Sequence, residues 1–481
     1  MAPAFFPEDS PSRLGVDAGG IAAFLDAADG IELHSLMIVR HGHVIASGWW
    51  EPYGPDRPHH LYSLSKSFTS SAAALASAEG LLDLDDPVLR YFPELDGDVT
   101  DPRSRAMLVR HIASMSSGHL TDTWDAACGS DPEHPVRAFL RMPPDRDPGT
   151  VFAYNQSCTY TLATIVQRVT GQPLTRYLRP RLFDRLGIGS AAWVELPQGQ
   201  ALGFAGLFVT TDAIARLGEL YLRGGQWQGL PVLPRDWVAE ATRRHIATDY
   251  GTNPDWRQGY GFQFWMSRHG YRGDGAFGQF CLVLPEHDAV IAITAGTEDM
   301  QELLDAVWRH VLPAFSVEGT AAGSAQADAA LAKRLAQLRL PTRDESLPAG
   351  HREGSLPDDP IELVPAGGRC EALPALRSVR LDGRNVTLSD GSISMELSVA
   401  DGWHVTEEPV PAAASGVWTD SGTLELDVIF LETPHRLTLT CSLGDRTFRA
   451  RWNVPPLAPV VSLSRLRSPM SASDTPKSHS Q

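Results

Sequence analysis

His60-Leu-Tyr-Ser-Leu-Ser-Lys-Ser-Phe68 opens a run, Ser63–Glu79, that is rich in Ala and Leu and is stopped by Gly80. This pattern predicts a helix. Residues three apart share a helix face, so the Ser63 hydroxyl and the Lys66 amine can meet. A helix beginning at Ser63 puts that hydroxyl at the positive end, where an alkoxide or oxyanion is favoured. Ser65 and Ser67 point elsewhere around the helix; Ser70, four residues after Lys66, is the other geometric candidate. The chain has only three lysines, Lys66, Lys333 and Lys477, among 41 basic residues. Arginine does most of what a surface lysine does but does not readily give up its proton, so a lone lysine marks chemistry that needs an amine. An amine that is neutral part of the time accepts a serine proton. A solvated lysine on an Ala/Ser helix has the same spacing, so other segments must decide.

Two such segments follow. Pro148-Gly-Thr-Val-Phe-Ala-Tyr-Asn-Gln-Ser157 sets Tyr154, Asn155 and Gln156 just before a helix at Tyr160–Thr170. A tyrosine beside a lysine has its pKa lowered and serves as the base for a serine; alone, it is more often a packed aromatic. Tyr271-Arg-Gly-Asp-Gly-Ala-Phe-Gly-Gln279 carries glycines into a strand. Such glycines let a substrate approach a sheet edge whose N–H groups bind an oxyanion, or they simply form a turn.

Working outward, His34–Tyr53 reads as two strands joined at His41-Gly42. Gly259–Trp265, Gly278–Leu284 and Ala289–Ala295 read as strands and Met300–Val311 as a helix. Strands from both ends around a helical middle predict one sheet with a helical insertion over residues 1–315. Residues 316–356 read as a linker with one helix at Ala327–Leu338. Over 357–462 the pattern changes to period-two alternation, as in Leu424-Glu-Leu-Asp-Val428, with Asp-Gly turns; this predicts an antiparallel β barrel or sandwich. Residues 463–481, polar and Ser-rich, read as a disordered tail.

Composition narrows the function. Of 481 residues 43% are hydrophobic and 21% charged, which is ordinary globular usage. A net charge of −17 repels phosphate backbones and anionic membranes, so neither nucleic acid nor membrane is an expected partner. No apolar run is long enough to span a bilayer, and the N-terminus shows no signal-peptide pattern, so a cytoplasmic location is expected. Five scattered cysteines suggest neither a disulfide framework nor a zinc site. There is no GxSxG, HExxH or P-loop, and the GxGxxG at Gly273–Gly278 leads into a strand instead of opening a helix. His59-His60 on a strand point in opposite directions, which favours structural roles. No cofactor or metal is expected.

The three segments, in this order and at these separations, resemble the serine hydrolase superfamily of class C β-lactamases, DD-peptidases and related esterases. The resemblance spans about Gly15 to Phe315 and includes Arg110-His-Ile-Ala-Ser-Met-Ser-Ser-Gly118, Leu186-Gly-Ile188 and Gly203-Phe-Ala-Gly-Leu207. It implies an α+β fold, a β-lactamase/transpeptidase-like sheet domain plus a helical domain with the active site between them. It implies Ser63 as the acylated nucleophile, Lys66 as its amine partner and Tyr154 as the tyrosine of a Tyr-x-Asn motif. The backbone N–H groups of Ser63 and Ala276 would form the oxyanion hole. Asn155, Gln156, Arg272, Gly273, Asp274 and Gly275 would line the substrate site, the last three in the place of the family's Lys-Thr-Gly.

Two departures shape the expected substrate. The family asparagine is either shifted to Asn155 or replaced by Gln156. Gly273 stands where β-lactamases and DD-peptidases carry a cation that helps hold the substrate carboxylate, and Asp274 repels such a group unless Arg272 or His269 compensates. Small ester or amide substrates are therefore expected in preference to penicillin or peptidoglycan. The alternatives are a penicillin-binding-protein-type thioesterase or transacylase, a D-peptidase, or a non-catalytic binding protein on the same fold. The C-terminal domain, lipocalin-like among the barrels, would shape the entrance or mediate a homodimer.

Overall fold

The computed structural model describes residues 6–197, 199–249, 251–315, 324–345, 359–399 and 402–469. The His34–Tyr53 hairpin forms β1 (Leu33–Arg40) and β2 (His43–Trp49), turning at His41-Gly42. β3 (Trp265–Met266), β4 (Tyr271–Gly275), β5 (Gln279–Leu284) and β6 (Ala289–Ala295) complete an antiparallel sheet of order β2-β1-β6-β5-β4-β3. The two ends of the domain thus meet where β1 pairs with β6. All eight residues of β1 are buried, as expected of a central strand covered on both faces. Only the end of the predicted strand Gly259–Trp265 is extended; the aromatic rings of Tyr260 and Trp265 pack there edge to face at 4.9 Å.

The helical insertion lies between β2 and β3. Its main helices are α1 (Ser65–Ala78), α2 (Gln156–Thr170) and α3 (Thr211–Leu222). α1 packs on α2, and α3 packs on β5 and β6. Ser63 stands in a 3-10 turn, Tyr62–Leu64, which runs into α1, and is not on the α-helix that the composition predicts. The cause is Tyr62, whose φ of +47° is incompatible with a helix starting there.

β4 runs against this turn. A Cβ on Gly275 would meet the Leu61 carbonyl oxygen at 2.1 Å, and one on Gly273 would meet Leu64 Cδ1 at 2.2 Å. The glycines of the third segment therefore exist to let a strand touch the turn that carries Ser63, a different reason from the substrate approach expected from sequence.

The stretch read as a linker is in part built into the domain. α4 (Ala325–Leu335) buries Leu331 and Leu335 in the main core, and Leu340 N–H bonds the Glu51 carbonyl at 2.8 Å. Residues 316–323 and 346–358 lie outside the described residues.

The C-terminal domain is a nine-stranded sheet: β7 (Ile361–Pro365), β8 (Ser378–Asp382), β9 (Asn385–Ser389), β10 (Ser394–Ser398), β11 (His404–Thr406), β12 (Ala412–Trp418), β13 (Thr423–Phe430), β14 (Arg436–Ser442) and β15 (Thr447–Trp452). Its order is β10-β9-β8-β7-β15-β14-β13-β12-β11, antiparallel except for the β7–β15 pair. The two end strands touch, so the sheet is nearly closed into a barrel. Alternate residues, among them Val386, Leu388, Leu426, Val428, Leu437 and Leu439, fill its interior as one core. Leu463 and Leu466 are buried in that core, so the predicted tail is packed as far as 469, while 470–481 lie outside the described residues. No helix among the described residues is long and apolar enough to cross a membrane.

Gly275→Ala is expected to destabilise the protein by about 1–3 kcal/mol, because backbone must move to admit the methyl group. Gly444→Ala, where a Cβ meets nothing within 4 Å, serves as the control. Thermal denaturation should lower Tm in the first variant and leave it nearly unchanged in the second.

Candidate active site

The turn at Ser63 is fixed from both sides. Leu61 N–H bonds the Leu207 carbonyl at 2.9 Å, and Leu207 N–H returns a bond to Ser65 Oγ at 3.1 Å. Along α1, Ser67 Oγ donates to the Gln263 carbonyl and Thr69 Oγ1 to the Gly203 carbonyl. Ser70 is fully buried and accepts from Trp237 Nε1 at 3.3 Å, which removes it as a nucleophile. Ser63 is left half-buried, at the start of the helical run, where backbone N–H groups have no intrahelical partner.

Lys66 is 1% exposed. Its Nζ lies 3.0 Å from Ser63 Oγ, 2.7 Å from Gln156 Oε1 and 2.9 Å from the Phe204 carbonyl oxygen. Burial pulls its pKa down from 10.5 to about 7, against the opposing pull of the Asp122 and Asp274 carboxylates. A neutral amine has two N–H bonds and one lone pair. Gln156 Oε1 and the Phe204 carbonyl can only accept, so both N–H bonds go to them. The lone pair is then left for the Ser63 hydroxyl. The packing therefore both favours the free amine and, in that form, aims its lone pair at the serine proton.

Tyr154 presents its ring to this amine, with Nζ 4.7 Å from the ring centroid. The ring stacks on Trp265 at 5.2 Å. Phe204 supplies a second ring, 5.6 Å from Nζ, and meets Trp124 edge to face at 4.7 Å. Tyr154, Trp124 and Phe204 are each partly exposed, so aromatic surface lies close to the Lys66 amine and Ser63.

The two readings of Asn155-Gln156 separate here. Asn155 is fully buried and caps α2: its Oδ1 accepts from Ser157 N–H at 3.0 Å and from Thr123 N–H and Oγ1. It is a structural cap and not a substrate contact. Gln156 is the residue that reaches Lys66. Asp122, which the sequence did not single out, accepts from Gln156 N–H at 3.0 Å and Trp124 N–H at 3.1 Å. It adds a charge near the amine from a loop with no motif of its own.

The third segment also differs from expectation. Arg272 is fully buried; its Nε bonds Asp274 Oδ2 at 2.8 Å, and its Nη1 bonds Ser267 Oγ at 2.6 Å and the Asp255 carbonyl at 2.9 Å. Its guanidinium also lies over the Trp256 ring at 4.6 Å. Burial raises the Asp274 pKa above the usual carboxylate value, although the Arg272 guanidinium pulls against it. Arg272 is therefore built into the packing around Asp274, and Gly273 into the packing of β4 on the Ser63 turn. His269 lies against Trp308, at 5.1 Å between rings. Ala276 occupies the turn between Gly275 and Phe277, at the end of β4 that lies against the Ser63 turn. Among the described residues no group of His, Cys, Asp or Glu has the arrangement to hold a metal ion.

The model of the beta-lactamase family matches residues 21–312. The chain belongs to the beta-lactamase family. It is thus a serine hydrolase by membership. It is 29% identical over 279 residues to a 6-aminohexanoate-dimer hydrolase of Paenarthrobacter ureafaciens, covering 53% of this chain and 71% of that protein. It is 27% identical over 203 residues to a lovastatin esterase of Penicillium rubens, 37% and 51% of the respective chains. Esterase EstB of Burkholderia gladioli is 25% identical over 215 residues, 38% of this chain and 55% of that one. The fold is shared with a solved Bacillus anthracis protein, provisionally named as a 6-aminohexanoate-dimer hydrolase: TM-score 0.53, 20% identity, 63% of this chain and 86% of that chain. In this chain Gln156, two residues after Tyr154, delivers a side-chain oxygen to Lys66 at 2.7 Å.

The amine sets a pH dependence and its response to two substitutions. With p-nitrophenyl butyrate, kcat/KM should rise with pH to a plateau with a midpoint of about 7, because the protonated amine cannot take the serine proton. Lys66→Arg should abolish this limb and lower kcat by about 10²–10⁴, since a guanidinium stays charged. Gln156→Glu places an anion against Nζ, which favours the ammonium, and should move the midpoint up by about 1 pH unit or more. A pH–rate series on the three proteins checks both.

Proposed function

We propose that this beta-lactamase-family hydrolase cleaves small neutral esters or amides through Ser63, Lys66 and Tyr154. What supports the reading is the contact of 3.0 Å between Lys66 Nζ and Ser63 Oγ, in a setting that leaves only the amine lone pair facing the hydroxyl. Ser63 Oγ attacks the substrate carbonyl carbon and its proton passes to Lys66 Nζ. The carbonyl oxygen becomes an oxyanion, stabilised by the N–H groups of Ser63 and Ala276. The intermediate collapses by breaking the bond to the leaving oxygen or nitrogen, which takes the proton from Lys66 directly or through the Tyr154 hydroxyl. Water then attacks the acyl-serine, gives its proton to the same amine, and the acid is released with Ser63 restored.

The substrate preference rests on charge and shape. Arg272 Nε bonds Asp274 and the whole side chain is buried, so the third segment exposes no cation to a substrate carboxylate. The partly exposed rings of Tyr154, Trp124 and Phe204 suit an apolar acyl or alcohol group.

Intact-protein mass after exposure to a fluorophosphonate should show a single adduct on the wild type that maps to Ser63, and none on Ser63→Ala. Release of p-nitrophenol from p-nitrophenyl butyrate should vanish in the same variant. A folded wild-type protein that takes no adduct and releases no product would overturn the reading.

A further inference from the structure

Two aromatic residues flank the proposed oxyanion hole, and both have left-handed backbone: Tyr62 with φ +47° and Phe277 with φ +68°. Bulky side chains rarely adopt this region, so surrounding contacts must hold them there. Tyr62 supplies the peptide plane that bears the Ser63 N–H; any change in its backbone angles re-aims that donor. Phe277 follows Ala276 and fixes the turn that presents the second donor.

His60 packs on the Tyr62 ring at 4.1 Å from within the domain, and the C-terminal barrel supplies contacts to both rings. Tyr62 and Phe277 pack edge to face at 5.2 Å and form a small buried cluster with Val454. His435, in the connection between β13 and β14, meets Phe277 at 5.4 Å and Tyr62 at 5.9 Å, in each case edge to face. Its Nδ1 lies 2.9 Å from the Val454 carbonyl oxygen and must donate to it. Nε2 is then an acceptor, and the Tyr62 hydroxyl donates to it across 2.6 Å. The connection is itself fixed, since His435 N–H bonds Thr433 Oγ1 at 3.2 Å and His60 N–H bonds the Glu432 carbonyl at 2.8 Å.

We propose that His435 is a positioning residue for acyl transfer: from the C-terminal barrel it clamps Tyr62 and Phe277, and through them aims the two backbone donors of the oxyanion hole. The inference rests on the acyl-serine reading of Ser63. It gives the barrel a direct role in the chemistry of the other domain, through one hydrogen bond and two ring contacts.

The full-length protein tests it with p-nitrophenyl butyrate. His435→Ala and Tyr62→Phe should each lower kcat by about tenfold or more, with KM within about threefold, as for an interaction that acts in the transition state. The double variant should be no slower than the worse single one, because both remove the same bond. His435→Gln, which offers Tyr62 an acceptor at a similar reach, should recover most of kcat. Arg57→Ala removes another contact to the barrel, the pair with Glu407 at 2.7 Å, which includes none of Tyr62, Phe277 and His435, and should keep wild-type kcat. Wild-type kcat in both His435→Ala and Tyr62→Phe would overturn the positioning role. So would an equal loss in Arg57→Ala, which would reduce His435 to general docking. Tyr62→Phe changes no barrel residue, so it decides the matter even where His435→Ala lowers Tm. Undiminished activity in Ser63→Ala would overturn the nucleophile itself, and this proposal with it.

Discussion

The burial of one amine organises this active site. Moving the Lys66 pKa from 10.5 to about 7 means that the site favours the free amine over the ammonium by about 5 kcal/mol relative to water. Such a shift requires that water be excluded, and the cover comes from three separate parts of the chain. The 3-10 turn brings Ser63, the first residue of α2 brings Gln156, and the loop before Leu207 brings the Phe204 carbonyl and ring. Removing any one of these opens a path for solvent or leaves an N–H bond unpaired. The hydroxyls along α1 that tie Ser67 and Thr69 to neighbouring loops keep this cover in register.

Much of this was legible in the sequence, for identifiable reasons. Lys66 stood out because arginine replaces lysine almost everywhere else, and its spacing to Ser63 survives the change from α-helix to 3-10 turn. The β1–β2 hairpin and the barrel strands follow from turn residues and period-two alternation, which are local signals. What was missed depends on tertiary packing. Ser63 is outside the α-helix because of Tyr62, a left-handed residue whose hydroxyl bonds His435, 373 residues away. Asn155 could have been assigned correctly: asparagine just before a helix is among the strongest N-caps. Asp122, Phe204 and His435 sit in loops without motifs, and nothing local marks them. The glycines of β4 were noticed for the right property, absence of a side chain, but the approaching partner is the chain itself.

The two domains meet along a polar seam. Glu32, just before β1, pairs with Arg436 at 2.6 Å and accepts from Asn453 Nδ2 at 2.8 Å. Burial pushes the Glu32 pKa up to about 7, while the Arg436 guanidinium opposes it. Behind it His34 stacks on Tyr53 at 3.9 Å and meets His59 Nε2 at 3.0 Å through Nδ1. Burial depresses the pKa of both histidines, so neutral rings back the ion pair and the directed hydrogen bonds of the seam. Directed bonds tolerate little sliding, which suits an interface that ends at Tyr62.

The closeness of β4 to the Ser63 turn also limits which sequences lie within mutational reach. A side chain at 275 has backbone directly in its way, and one at 273 must first push Leu64 out of the core. A lineage with this packing cannot regain a long cation at that corner by one substitution. It needs a smaller residue at 64 first, and that intermediate carries a cavity beside its own nucleophile. Any route to a long cation at that corner is thus a valley with a cost at its first step.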